Sequence, residues 1–169
     1  DIDQCGIDQR AGNVDDPALS GNVVGGTDPA DGNRIEGARI DGPAENNLIV
    51  GNDILGAGVT LNDAHGNRIG GPAPEERNTI SGAGSFDGEG CPGGSQITLI
   101  GSNNNVIEGN YVGTTVDGMA GYGQIGTAGI RIRDSFGTVV RDNLVGDILV
   151  VGQNHCAGDR FGVAIEIQG

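Results

Sequence analysis

The strongest indication of the fold is Asn47-Leu48-Ile49-Val50-Gly51-Asn52-Asp53-Ile54-Leu55-Gly56, in which the unit Asn-x-Ile-x-Gly occurs twice in succession. Further copies begin at Asn33, Asn67, Asn78 and Asn105, and weaker copies surround Asn22 and Asn143. A second unit alternates apolar and polar residues: Val59-Thr60-Leu61, Ile97-Thr98-Leu99, Ile130-Arg131-Ile132 and Val163-Ala164-Ile165-Glu166-Ile167. Recurrence of two short units along one chain is typical of a repeat architecture.

The alternation and the spacing of these units together predict short stacked strands. A period of two turns the Ile and Val side chains inward and leaves Thr, Arg and Glu outside. Equivalent positions are 21 residues apart from Ile40 to Leu61, 38 from Leu61 to Leu99, and 33 each from Leu99 to Ile132 and from Ile132 to Ile165. A solenoid with three strands per coil explains these distances, since surplus residues leave as loops. Gly and Asn suit the sharp turns, and Asn side chains stacked at one corner would hydrogen-bond between coils.

Composition supports an all-β protein. The chain has 169 residues, including 34 Gly, 17 Ile, 14 Val and 7 Leu. Interior Gly weakens a helix, so a helical bundle is excluded, and the Gly residues lack the strict third-position spacing of collagen. The branched apolar residues are numerous enough to build a core, which argues against disorder. We expect one domain over residues 1–169, either as a segment of a longer chain or as a subunit that stacks end to end.

The charge of the chain limits its partners. A formal net charge of −14 repels phosphate backbones, so we expect no nucleic-acid partner. The longest apolar run covers only 148–151, which predicts no membrane insertion. Strong acidity fits a calcium-rich extracellular setting, and simple solubility is the alternative.

Three motifs carry a resemblance to a known family. They are Gly66-Asn67-Arg-Ile-Gly-Gly71, Pro-Ala-Pro-Glu-Glu-Arg-Asn78-Thr-Ile-Ser-Gly82 and Asn105-Val-Ile-Glu-Gly-Asn-Tyr-Val-Gly113. They resemble the right-handed parallel β-helix repeat proteins of the pectate-lyase-like superfamily, in particular its secreted bacterial members with Asn-x-Ile-x-Gly repeats. The resemblance covers roughly residues 17–169. It implies a right-handed parallel β-helix about 25–30 Å tall and an extracellular or cell-surface location. The superfamily contains lyases, hydrolases, epimerases, adhesins and passive stalks, so the fold implies no single activity.

Three Cys residues suggest one disulfide bond in a secreted protein. Cys91 and Cys156 both precede the alternating strand series, and we predict that they pair if the loops 83–96 and 152–161 bring them together. Cys5 would then be free or paired outside the chain. A zinc site formed by His155 and Cys156 is the rival interpretation, although no Cys-x-x-Cys spacing supports it.

The three largest insertions, 83–96, 114–128 and 152–161, predict a binding surface, because all precede the same strand series. The candidate carbohydrate-binding residues are the outward Thr98, Arg131, Arg133 and Glu166 and the loop residues His155, Asp159 and Arg160. Their guanidinium groups would bind uronate carboxylates. The alternative is a solvated strand face with ordinary ion pairs such as Arg133–Glu166.

No catalytic residues can be assigned from the sequence. The loop carboxylates Asp87, Glu89, Asp117 and Asp159 do not fall on adjacent outward strand positions, as a glycosidase pair requires. The catalytic motifs of the resembled lyases, epimerases and hydrolases are absent. Calcium is a candidate ligand of the Asp-rich turns at 13–16 and 28–32, with solvated turns as the alternative. We predict no cofactor and no other metal.

The expected function is therefore a non-catalytic structural or adhesive segment, and the competing hypothesis is a polysaccharide-cleaving or polysaccharide-binding protein. The final strand, 163–167, has no Pro or Lys and only Glu166 as a charge, so it lacks the usual protection against edge pairing. We expect end-to-end assembly, either with adjacent coils or with copies that join head to tail into a filament. A cap formed by residues 1–16 is the alternative for the N-terminal end.

Overall fold

The computed structural model describes residues 7–10, 20–28, 32–83, 85–86, 92–115, 117–118, 124–125, 128–146, 148–149 and 163–169. It contains one 3₁₀ helix, Pro74–Glu76, among the described residues. The strands are β1 (Ile7–Arg10), β2 (Val23–Gly25), β3 (Arg34–Asp41), β4 (Leu48–Val50), β5 (Asp53–Asn62), β6 (Arg68–Gly70), β7 (Thr79–Ser81), β8 (Ser85–Phe86), β9 (Pro92–Gly93), β10 (Ser95–Ile100), β11 (Val106–Glu108), β12 (Tyr111–Val112), β13 (Gln124–Ile125), β14 (Ala128–Arg133), β15 (Val139–Arg141), β16 (Leu144–Val145), β17 (Ile148–Leu149) and β18 (Val163–Gln168). The expected all-β class is confirmed.

The strands form three stacks of parallel pairs. Stack 1 is a five-stranded sheet in the order β15-β11-β6-β4-β2. Stack 2 contains the first parts of β3 and β5 with β7, β12 and β16. Stack 3 contains β1, the second parts of β3 and β5, and then β10, β14 and β18. Stacks 2 and 3 belong to one nine-stranded sheet because β3 and β5 run through both.

The chain visits the stacks in a fixed order. It passes through stack 1, then stack 2, then stack 3, and it completes this passage five times from β2 to β18. We call each such passage a layer, numbered 1 to 5 along the chain. The remaining pairs, β8 with β9 and β13 with β17, lie between stacks 2 and 3 in sequence.

The core lies between the three stacks, as the alternation predicts. A single cluster of buried residues includes Ile49, Ile69 and Ile107 from stack 1, Ile54 and Ile80 from stack 2, and Leu61 and Leu99 from stack 3. Each of these side chains is at most 1% exposed. Complete burial of an Ile or Leu side chain contributes about 1.5–3 kcal/mol, so these columns are a principal source of stability.

The register of stack 3 agrees with the sequence spacing except at its last strand. Ile40, Leu61, Leu99 and Ile132 lie opposite one another in succession, as expected. Ile132 then lies opposite Ile167, whereas the spacing had predicted Ile165. The prediction was wrong by two residues because a shift of two leaves the inward and outward pattern unchanged.

Two asparagine ladders connect the layers, where the sequence predicted one. The first ladder contains Asn22, Asn47, Asn67 and Asn105, each directly before a strand of stack 1. The second contains Asn33, Asn52, Asn78, Asn110 and Asn143, each directly before a segment of stack 2. The Asn78 backbone N–H and Nδ2 donate to Oδ1 of Asn110 at 3.3 and 2.9 Å, and Asn110 repeats this toward Asn143 at 2.9 and 3.0 Å. All of these bonds point from one layer to the next.

Candidate functional site: the outward face of stack 3

The surface predicted to bind carbohydrate is the outward side of stack 3, which the strand register defines. One row across the strands contains Arg39, Thr60, Thr98, Arg131 and Glu166. The row beside it contains Asp41, Asn62, Ile100, Arg133 and Gln168. We call these ten residues the stack 3 face. Parallel strands stand about 4.8 Å apart, so successive side chains in a row are neighbours.

The structure brings together four of the seven predicted carbohydrate-binding residues. Thr98, Arg131 and Glu166 occupy consecutive positions of the first row, and Arg133 lies in the second. His155, Asp159 and Arg160 lie outside the described residues. The described part of the predicted site is therefore a strand surface without its loops.

The C-terminal end of the face is held together by its own polar groups. Nε of Arg131 donates to Oε2 of Glu166 at 2.8 Å, and the two side chains are only 18% and 24% exposed. Nε2 of Gln168 donates to the other carboxylate oxygen of Glu166, and Nε of Arg133 donates to Oε1 of Gln168 at 3.1 Å. The partner of Glu166 is thus Arg131 and not the expected Arg133, because of the two-residue difference in register.

The other end of the face carries a second ion pair, in which Nε of Arg39 donates to Oδ2 of Asp41 at 2.6 Å. Between the two pairs lie the uncharged residues Thr60, Asn62, Thr98 and Ile100. The middle of the face is therefore uncharged and mostly polar, with an ion pair on either side. Its polar side chains can donate and accept hydrogen bonds, whereas the carboxylates of Asp41 and Glu166 are already bound to Arg.

Clearly shifted pKa values occur elsewhere. Burial raises the pKa of the Asp53 carboxyl in β5, and Arg34, whose Nε is 3.8 Å from Oδ2, partly opposes this. The hydrogen bond from Arg68 lowers the pKa of the Glu76 carboxyl, with Nη2 and Oε1 2.6 Å apart. The hydrogen bond to Glu108 raises the pKa of the Arg141 guanidinium. These groups belong to separate ion pairs and do not converge on one site.

The contact between the Arg77 guanidinium and the Tyr111 ring was not predicted from the sequence. The Arg77 guanidinium carbon lies 4.2 Å from the centroid of the Tyr111 ring, and its Nε donates to the Gly109 carbonyl at 3.1 Å. Arg77 directly precedes Asn78 and Tyr111 directly follows Asn110, so the ladder pairing of these two Asn residues brings them together. The signal in the sequence is the second set of Asn residues, because pairing Asn78 with Asn110 places Arg77 beside Tyr111.

The remaining site predictions concern a metal site, a disulfide bond and calcium binding. Among the described residues, no group of three or more His, Cys, Asp and Glu residues could hold a metal ion. The predicted disulfide partners Cys91 and Cys156, as well as Cys5, lie outside the described ranges, as do Asp15, Asp16 and Asp31. The disulfide bond and calcium binding stay predictions. In the same described part, no helix has the length and apolar character needed to cross a membrane.

Comparison with known proteins found no matching family model, no matching curated protein and no matching solved structure. The likeness to the pectate-lyase-like superfamily therefore rests on the motifs quoted above. Any functional conclusion has to come from the residues of this chain.

Proposed function

We propose that this chain is a right-handed parallel β-helix with three strands per coil and that it is a non-catalytic structural or adhesive module of a secreted or cell-surface protein. Each layer corresponds to one coil, since the chain passes through three parallel stacks in a fixed order. Right-handedness follows from the strong preference of parallel crossover connections for that hand.

The asparagine ladders carry the proposal of a structural role. In the second ladder, the Asn78 amide donates to Asn110 and to the Ile49 carbonyl at 2.8 Å, and its Oδ1 accepts from Asn52 at 3.0 Å. Each such hydrogen bond contributes about 0.5–1.5 kcal/mol, and breaking one in a buried place costs more. The buried polar groups thus connect layer to layer. This arrangement suits a stiff rod that spaces or displays other parts of a protein.

The stack 3 face supports the same interpretation. Its two carboxylates are each paired with an Arg, Asp41 with Arg39 and Glu166 with Arg131, so they are not arranged as a protonated and an ionised carboxylate facing a substrate. The net charge of −14 favours partners other than nucleic acids.

Incubation with pectin, alginate and similar polymers tests the absence of catalysis. We expect neither new reducing ends nor unsaturated products. Turnover that is lost in Arg131→Ala but kept in Arg39→Ala, at the other end of the face, would contradict the proposal. Circular dichroism of both variants establishes that they are folded.

Polysaccharide binding without cleavage is the alternative function, and the neutral strip Thr60, Asn62 and Thr98 beside the exposed Arg133 favours it. A guanidinium binds carboxylates in a fork geometry, so the substrate class would be acidic polysaccharides. Affinity electrophoresis in gels containing polygalacturonate or a neutral glucan tests this function. Retardation by polygalacturonate alone, abolished in Arg133→Ala, would establish it, and equal mobility in both gels would exclude it.

A further inference from the structure

A third set of side-chain hydrogen bonds connects the turns that lead from stack 3 back to stack 1. The residues involved lie two positions before each first-ladder Asn or before Thr138, and they are Ser20, Glu45, His65, Asn103 and Phe136. In three of these turns, a backbone N–H donates to the side chain of the equivalent residue one turn earlier. The acceptors are Oγ of Ser20 at 2.9 Å, Nδ1 of His65 at 3.0 Å and Oδ1 of Asn103 at 2.8 Å.

His65 differs from the other acceptors because it can take up a proton near neutral pH. Among the described residues, the other side chains that accept a backbone N–H from an adjacent layer belong to Asn and Ser. An imidazole in water gains a proton as the pH falls through about 6.5. Since Nδ1 accepts the Asn103 N–H, the ring proton is on Nε2. A proton on Nδ1 would set two donors against each other and break the bond to Asn103.

Two carboxylates lie in the three turns around the His65 ring. Glu45 belongs to the turn before, where it pairs with His65 in a parallel β-bridge, and it is exposed. Asp63 belongs to the same turn as His65, and its Oδ1 faces the turn after, because a Cβ at Gly101 would lie 2.5 Å from that atom. The turn after, 101–104, contains no charged residue. Glu45 is therefore the carboxylate on the side opposite Asn103.

We infer that His65 is a proton-operated switch between two layer boundaries. In the neutral form, Nδ1 accepts from Asn103 of the turn after. In the protonated form, the ring turns toward the turn before and donates to the Glu45 carboxylate in a charge-assisted hydrogen bond. Arg68, the one cation within five residues of His65 along the chain, is already bound to Glu76 at 2.6 Å.

This switch would make the stiffness of the proposed rod depend on pH at one corner, so the inference builds on the proposed structural role. Acid removes the connection from His65 to the turn at 101–104 and adds one to the turn at 42–46. The bond from the Phe136 N–H to Asn103 has no titrating group and stays in place. The change is therefore local and does not loosen the whole molecule.

Amide hydrogen exchange of the whole chain, followed by NMR at about pH 7.5 and about pH 5, tests the switch. After correction for the intrinsic pH dependence of exchange, we expect the protection of the Asn103 amide to fall about tenfold in acid, because one hydrogen bond is lost. The Phe136 amide should keep its protection. In His65→Asn, whose amide oxygen accepts without titrating, the Asn103 amide should be equally protected at both pH values.

Glu45→Gln and Asp63→Asn form a matched pair of variants that identifies the acid-state partner. The ring nitrogen resonances of His65 report the midpoint of its protonation directly. We expect Glu45→Gln to lower this midpoint by about half a pH unit, as for the loss of an exposed ion pair. Asp63→Asn should lower it less.

Three outcomes would overturn the switch. They are equal protection of the wild-type Asn103 amide at both pH values, an acid-induced loss at Phe136 as large as that at Asn103, and a larger midpoint shift in Asp63→Asn than in Glu45→Gln. None of them bears on the proposed structural role, because that role is tested separately by the turnover of polymers.

Discussion

Asparagine fits the ladder positions because one side chain carries an acceptor and two donors at short range. In the first ladder, the Asn47 backbone N–H and Nδ2 donate to Oδ1 of Asn67 at 2.9 and 3.0 Å. Nδ2 of Asn67 donates back to the Ala44 carbonyl at 3.1 Å. Both residues are nearly fully buried, at 3% and 1% exposure. A buried amide with these partners avoids the cost of an unsatisfied polar group, which is about 1–3 kcal/mol.

The first ladder stops at Thr138, which stands where the next Asn would be. Val139 donates its N–H to the Asn105 carbonyl at 2.9 Å, just as Val106 does to the Asn67 carbonyl. The Thr138 side chain does not continue the ladder, because its Oγ1 is buried without a hydrogen-bond partner. The last layer is thus less firmly attached at this corner than the layers before it.

Thr138→Asn should stabilise the protein. The new Oδ1 is expected to accept from the Asn105 backbone N–H and to raise the free energy of unfolding by about 0.5–1.5 kcal/mol. Urea unfolding measures the change. Thr138→Val is the control, since it removes the unsatisfied hydroxyl without adding an amide. Equal stability of the Asn and Val variants would show that the ladder does not extend to this position.

At the scale of elements, the turns from stack 3 back to stack 1 repeat the same backbone conformation. Asn46, Gly66 and Asn104 occupy equivalent positions, each directly before a first-ladder Asn, with φ of 58°, 62° and 57°. Only Gly and, to a lesser degree, Asn or Asp adopt this left-handed conformation readily. The alternation of Gly and Asn at this position therefore has a local backbone cause.

At Gly70, at the end of β6, a steric constraint adds to the backbone conformation as a reason for Gly. Its φ of 77° is also left-handed, but a Cβ there would lie 2.1 Å from the Glu108 carbonyl oxygen of the next layer. At Gly66, the nearest atom to such a Cβ is Oδ1 of Asn46, at 3.7 Å. The adjacent layer thus leaves no room for a side chain at position 70, whereas position 66 has room for one.

Comparison of Gly66→Ala with Gly70→Ala separates these two effects. Both variants place Ala at positive φ, which costs about 1–2 kcal/mol, and only Gly70→Ala adds a backbone clash. We expect Gly66→Ala to lose that amount in chemical unfolding and Gly70→Ala to lose at least about 2 kcal/mol more, in the range of strongly destabilising substitutions. Gly66→Asn should be milder than Gly66→Ala. If the two Ala variants lost similar amounts of unfolding free energy, the adjacent layer would have to move away from position 70 at no measurable cost.

At the scale of the whole molecule, each layer contacts mainly the layers directly above and below it. Stability in such an arrangement is approximately a sum of layer and interface contributions. The middle layers contain fully buried Ile54, Leu61, Ile97 and Leu99 and both ladders. The last layer has exposed apolar residues and an incomplete first ladder.

Hydrogen exchange should therefore be graded along the molecule. We expect amides of β5 and β10 to exchange slowest and those of β15 and β16 to exchange fastest, because local opening begins in the less supported layer. Mass spectrometry of peptic fragments measures this order. Uniform protection from β5 to β16 would instead indicate that all layers open in one cooperative step.

Local sequence patterns were sufficient to predict the all-β class, the parallel repeat and most of the core. Period-two alternation assigns Leu61 and Ile97 to the interior wherever their strands pair, and the left-handed turn positions select Gly or Asn locally. These properties follow from a few neighbouring residues. The sequence also located Arg131 and Glu166 on one outward surface.

The properties that depend on how distant segments align became visible in the folded chain alone. The register of β18 set the Arg131–Glu166 pair, and the second ladder brought Arg77 over Tyr111. The loops between strands vary in length, and a shift of two residues preserves the alternating pattern. The register therefore depends on the total energy of packing and hydrogen bonds between layers, which no local stretch of sequence contains.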